Sequence, residues 1–81
     1  MFDSRIINGT EVKVDTITLG TIIKAQVNSG DTRDGMILGI VSEVVSLNGE
    51  KHDYNFWKGY SNMSISNYIV ECINIQFHEL N

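Results

Sequence analysis

Apolar and polar residues alternate along much of the chain. In residues 21–28 the apolar side chains of Ile23, Ala25 and Val27 are separated by polar ones, which is the period-two pattern of a strand with one covered face. Residues 63–66 alternate in the same way. Residues 68–77 are apolar at both odd and even positions, which predicts a final strand whose first half is covered on both faces.

Two Asn-Gly dipeptides predict turns elsewhere in the chain. Asn8-Gly9 lies between residues 2–7 and 10–15, and Asn48-Gly49 lies between residues 36–47 and 52–57. Asn-Gly readily supplies the two positive-φ residues of a type I′ turn, so each dipeptide predicts a β-hairpin. The first predicted hairpin spans residues 2–15, and in the second the segment 36–47 turns back into 52–57.

Composition supports strands. The 81 residues include 11 Ile, 7 Val and 5 Thr, against only five Leu and Ala together, and β-branched residues favour strands over helices. We therefore predict an all-β fold in a single domain, residues 1–81: a small closed barrel of five to six strands or a strongly bent antiparallel sheet. The chain has no Pro. Since Pro is one device that protects edge strands, its absence predicts that an edge is closed off or is paired with another chain.

One segment resembles a known fold family. Its glycines and apolar residues follow the order Gly20, Ile23, Ala25, Val27, Gly30, Gly35, Gly39, Val41. This order resembles the first hairpin of an SH3-like small barrel, and more narrowly of its KOW-type variety. The resemblance implies an SH3-like barrel and a non-catalytic module that binds peptide, protein or nucleic acid. The 11 Ile and 8 Asn also resemble the composition of small accessory proteins from AT-rich phage genomes.

The net charge and the single cysteine limit the binding partners and the cellular location that we expect. The formal net charge is −4, so nucleic-acid binding would require a local basic patch. The one cysteine cannot form an intramolecular disulfide. No signal peptide is visible, and no apolar run approaches the roughly 20 residues that span a bilayer. We expect a cytoplasmic protein, in the host cytoplasm if it is phage-encoded, with no membrane association.

An aromatic cluster is the strongest local feature. Four of the seven aromatic residues fall between positions 54 and 60, flanked by two lysines: Lys51, Tyr54, Phe56, Trp57, Lys58 and Tyr60. In a strand, Tyr54 and Phe56 would share one face and Trp57 would lie on the other. One interpretation makes Trp57, with Tyr60 and Lys58, an exposed platform for a base, a nucleotide or a protein hot spot. The other packs Trp57 against the last strand or in a dimer seam.

The sequence contains no recognisable catalytic motif. Gly-x-Ser-x-Gly and Walker glycine loops are absent, and Cys72 lies in an apolar segment where a thiol is usually inert. With His52 and His78 as the only histidines, a zinc site is not expected. We predict no enzymatic activity, no metal and no cofactor.

These features favour a non-enzymatic interaction module that binds a larger protein and inhibits a host or defence protein. The candidate binding residues are Trp57, Tyr60, Lys58, Lys51, Tyr54 and Arg33. The alternative is a nucleotide or oligonucleotide sequestering protein that stacks bases on the aromatic residues, with its site shared between subunits. Self-association through edge strands is a third hypothesis.

Overall fold

The computed structural model describes residues 1–29 and 32–79 and contains four helices and one four-stranded antiparallel sheet. In chain order the elements are β1 (Asp3–Ile7), β2 (Thr10–Val14), α1 (Leu19–Ser29), α2 (Arg33–Val44), β3 (Val45–Leu47), β4 (Glu50–Lys51), α3 (Tyr54–Lys58) and α4 (Met63–Glu79). The fold is therefore α+β, and the prediction of an all-β barrel or bent sheet is wrong. None of the helices in the described ranges is long and apolar enough to cross a membrane.

Both Asn-Gly hairpins are confirmed. The φ angles are 51° and 81° at Asn8 and Gly9, and 51° and 83° at Asn48 and Gly49. The four strands follow the order β1-β2-β3-β4. The second hairpin is much shorter than predicted, because most of residues 36–47 form α2 and residues 54–57 form part of α3.

Each helix begins at a short polar side chain that accepts a hydrogen bond from a backbone N–H three residues later, which stabilises a helix start. The four acceptors are Thr18 (from Thr21, 3.2 Å), Thr32 (from Gly35, 3.1 Å), Asp53 (from Phe56, 2.9 Å) and Asn62 (from Ile65, 3.2 Å). The predicted strand at residues 21–28 lies within α1. Residues 28–35 contain no apolar side chain, which predicts a loop, but Arg33, Asp34 and Gly35 form the start of α2. Gly30 and Asp31 lie outside the described residues.

Residues 68–77, which are apolar at both odd and even positions, belong to helix α4. Its buried residues recur every three to four positions: Ile65, Tyr68, Ile69, Cys72, Ile73 and Gln76. This spacing forms one stripe on a helix, whereas a strand would divide the same residues between two faces. The stripe packs with Val12 and Val14 of β2 in the hydrophobic core, so the prediction of a two-faced strand is wrong.

Gln76 joins α4 to the link between β2 and α1. Its side chain is buried, its Oε1 accepts from the Ile17 N–H at 2.7 Å, and its Nε2 donates to the Asp15 carbonyl at 3.2 Å. Buried backbone groups need such partners, since an unpaired one costs free energy. Gln76 therefore fixes where the chain leaves the sheet.

We expect Gln76→Leu to lower the free energy of unfolding by about 2–4 kcal/mol, because two backbone groups lose their partners. Urea denaturation of both proteins measures the difference. Gln26→Leu, at an exposed position of α1, is the matched control and should change stability by less than about 0.5 kcal/mol. Equal effects of the two substitutions would contradict this role for Gln76.

Two glycines allow a clean test of turn geometry. A Cβ added at Gly49 or at Gly59 would meet no atom within 4 Å, but Gly49 has φ 83° whereas Gly59 has φ −96°. We expect Gly49→Ala to destabilise by about 1–2 kcal/mol through backbone strain alone. Gly59→Ala should be neutral or stabilising by up to about 1 kcal/mol in the same denaturation experiment. Two equal losses would rule out the strain explanation.

Candidate functional site

A groove of about 630 Å³ lies between α2 and α4 and opens to solvent. Its lining residues are spaced three or four apart along each helix, so each helix contributes one face. They are Thr32, Arg33, Met36, Ile37 and Ile40 from α2 and the residue before it, and Val70, Ile73, Asn74, Phe77 and His78 from α4. The volume is within the range of small-molecule and side-chain binding sites in proteins.

The groove is apolar at its base and partly exposed at its sides. Ile40 and Ile73 are buried and form the floor, while Met36 and Ile37 are half-buried along one wall. Val70 remains 51% exposed on the opposite wall. Apolar side chains that stay accessible beside a concave surface are typical of binding sites, and Met36 adds a side chain that can adapt its shape.

One of the polar lining residues, Arg33, carries a formal positive charge. Arg33, in the first turn of α2, and His78, in the last turn of α4, are both exposed along the groove. No Asp or Glu is among the described residues that line it. In a chain with a net charge of −4, Arg33 is thus the one formally charged residue among the described residues that line the groove.

The structure places Trp57 in the core. Its side chain is only 5% exposed, whereas Phe56 is 38% exposed. Strand alternation would put Phe56 and Trp57 on opposite faces, and the interpretation that made Trp57 an exposed platform is the one that its burial opposes. The reason is α3: Asp53 caps a helix at this point, and the helical turn rotates Trp57 toward the core.

The aromatic rings cover one another. The His52 and Phe56 rings stack with centroids 3.9 Å apart, and the Trp57 ring contacts Phe56 at 5.1 Å and Tyr60 at 5.0 Å in edge geometry. Burial raises the pKa of Tyr60. The Trp57 Nε1 has no hydrogen-bond acceptor in the part of the chain that the structure describes. The indole therefore offers no open face for stacking a base.

The remaining predicted site residues occupy two regions. Tyr54 is half-buried and Lys58 exposed at the two ends of α3, and the Lys51 Nζ donates to the Glu43 carbonyl at 2.9 Å. Arg33 lies apart from them in the α2–α4 groove, which none of the other five lines. The structure thus separates Arg33 from the aromatic cluster with which the sequence grouped it.

Sequence reasoning missed the apolar groove residues. Val70, Ile73 and Phe77 share a face only in a helix, because in a strand Val70 would point away from the other two. Their i, i+3, i+7 spacing was a signal that could have identified this face.

Two potential nucleophiles are held in unreactive states. Burial raises the pKa of the Cys72 thiol, which disfavours the reactive thiolate. Burial also raises the pKa of Tyr68, whose hydroxyl donates to Asp3 Oδ2 at 2.7 Å. No group of three or more His, Cys, Asp or Glu side chains within residues 1–29 and 32–79 is placed to hold a metal ion.

Comparison of the chain with protein-family models, curated proteins and solved structures finds no match.

Because Trp57 is the chain's one tryptophan, its fluorescence reports directly on the aromatic cluster. We expect blue-shifted emission, weak quenching by iodide, and no change on addition of ATP or a short oligothymidylate, since the indole is covered. N-acetyltryptophanamide is the exposed control. Saturable quenching by either nucleotide probe would show instead that Trp57 is accessible for stacking.

Proposed function

We propose that this chain is a non-enzymatic protein-binding module whose α2–α4 groove receives the apolar face of an amphipathic helix from a partner protein. The observation that carries the proposal is the groove itself: apolar side chains from two helices stay accessible around a concave surface. An amphipathic helix in an apolar groove is a recurrent mode of peptide recognition.

The energetic argument rests on side chains that the isolated chain leaves in water. Val70 is half exposed, and Met36 and Ile37 are only partly covered. Burying apolar surface contributes about 25 cal/mol per Å². A partner helix that covers these walls would remove that surface from water and complete the packing above Ile40 and Ile73.

The charge of the groove specifies the partner further. Arg33 supplies a full positive charge beside an apolar surface, and the described lining residues include no carboxylate to oppose an acidic group. Complementary charge at an interface contributes mainly to specificity and to the rate of association. We therefore expect the partner helix to carry Asp or Glu next to its apolar face.

The nucleotide-binding alternative has less support, because it depends on stacking against Trp57 and that side chain is 5% exposed. Inhibition of a host or defence protein stays a prediction.

The test is a display selection against an unbiased library of peptides of about 16 residues, long enough for roughly four helical turns. We expect selected peptides to carry apolar residues at i, i+3, i+4 and i+7 with an adjacent acidic residue. Val70→Glu should weaken their binding at least tenfold, about 1.4 kcal/mol, because a carboxylate would be buried against the apolar face. Titration calorimetry measures the affinities.

Ile23→Glu is the matched control. Ile23 lies on α1, outside the groove, and its 52% exposure nearly equals the 51% of Val70. Circular dichroism should show both variants folded, and Ile23→Glu should bind as the unmodified protein does. A selection that yields no binding peptide, or peptides equally affected by both substitutions, would overturn the proposal.

A further inference from the structure

The sheet has two outer strands, and they differ in how well their edges are protected. β4 contains two residues and leads directly toward α3, whereas β1 contains five residues and no Pro. No described residue forms a backbone hydrogen bond across the outer edge of β1. An edge of this length without Pro is a template for pairing with another strand.

The pairing of β1 with β2 shows which backbone groups of β1 point away from the sheet. Ile7 and Thr10 flank the two-residue turn, so they form a hydrogen-bonded pair, and such pairs recur at every second residue. The N–H and C=O groups of Asp3, Arg5 and Ile7 therefore point toward β2. Those of Ser4 and Ile6 point outward and are available to a further strand.

The residues on either side of Ser4 carry opposite charges, so two copies of this segment are complementary when they run antiparallel. When two copies of the segment Asp3-Ser4-Arg5 pair antiparallel about Ser4, each Asp3 lies opposite the other copy's Arg5. Phe2 stays outside this pairing, because its side chain packs against the core and its N–H donates to the Val14 carbonyl at 2.8 Å. Pairing about Arg5 or about Asp3 instead would bring like charges together, which destabilises cross-strand pairs. The charges thus favour pairing about Ser4 over pairing about Arg5 or Asp3.

Contacts with α4 hold both charged side chains at this edge. The Tyr68 hydroxyl donates to Asp3 Oδ2 at 2.7 Å, and the Arg5 guanidinium lies 4.6 Å from the centre of the Tyr68 ring. Asp3 keeps its second carboxylate oxygen for another donor. On the opposite face of the sheet Ile6 is 72% exposed.

From these observations we infer that the chain forms a symmetric dimer, in which β1 of one copy pairs antiparallel with β1 of the other about Ser4 and the two sheets become one of eight strands. The partner is a second copy, since the charges of Asp3 and Arg5 are complementary when the segment meets itself reversed. Helices α2 and α4 supply the groove and β1 supplies this edge, so the dimer does not depend on the proposed function.

Sedimentation equilibrium over a range of concentrations tests the pairing. We expect a monomer–dimer equilibrium in the unmodified protein, and at least a tenfold increase in its dissociation constant for Ser4→Pro. Proline removes the outward N–H of Ser4 but leaves the bonds between β1 and β2 in place. Ser4→Val keeps that N–H and is the matched control, expected to dimerise as before.

A charge exchange tests the register. Asp3→Lys and Arg5→Glu should each weaken the homodimer, because each puts like charges opposite one another. Mixed together, the two variants should form a heterodimer, since Lys at position 3 then faces Glu at position 5 and Arg5 faces Asp3. Circular dichroism should show each variant folded.

A protein that stays monomeric into the millimolar range, a dimer that Ser4→Pro leaves intact, or variants that do not recover on mixing would each overturn the inference. The response of selected peptides to Val70→Glu is measured separately, so failure of the dimer and failure of the groove proposal are distinguishable.

Discussion

The packing of α4 on the sheet is the contact on which the other features depend. A four-stranded sheet in which two strands have three and two residues needs cover on its apolar face to be stable. The buried stripe of α4 provides that cover. Two polar contacts set its position: Gln76 binds backbone groups of the link after β2, and Tyr68 binds Asp3 of β1. The orientation of α4 then determines which of its side chains remain outside the core.

Both proposed binding surfaces follow from that orientation. Ile73 belongs to the buried stripe and also lines the groove, so the floor of the groove is part of the core. Val70, rotated away from the sheet, becomes its exposed wall. At the other end of the stripe, Tyr68 positions Asp3 and Arg5 at the outer edge of β1. A chain of this size forms one hydrophobic core. Its interaction surfaces are therefore lined by residues that also belong to that core or lie next to it.

The helices were harder to predict than the turns for energetic reasons. A β-branched residue in a helix costs up to about 0.7 kcal/mol relative to Ala, whereas full burial of its side chain contributes roughly 1.5–3 kcal/mol. Tertiary packing can therefore override the strand preference of Ile65, Ile69 and Ile73. Local signals for the helices were present, because Thr18, Thr32, Asp53 and Asn62 stand at the four helix starts. The strand prediction gave more weight to the abundance of Ile and Val than to these four residues at the helix starts.

The sequence by itself determined the two hairpin turns, because positive φ at Asn8-Gly9 and Asn48-Gly49 is a local steric property that needs no other part of the chain. One residue that the sequence predicted to bind a partner, Arg33, does line the groove. The tertiary structure decided which segments are helical, the burial of Trp57 and the existence of the groove. Those features depend on which apolar surfaces distant segments cover, and short runs of alternating residues do not contain that information.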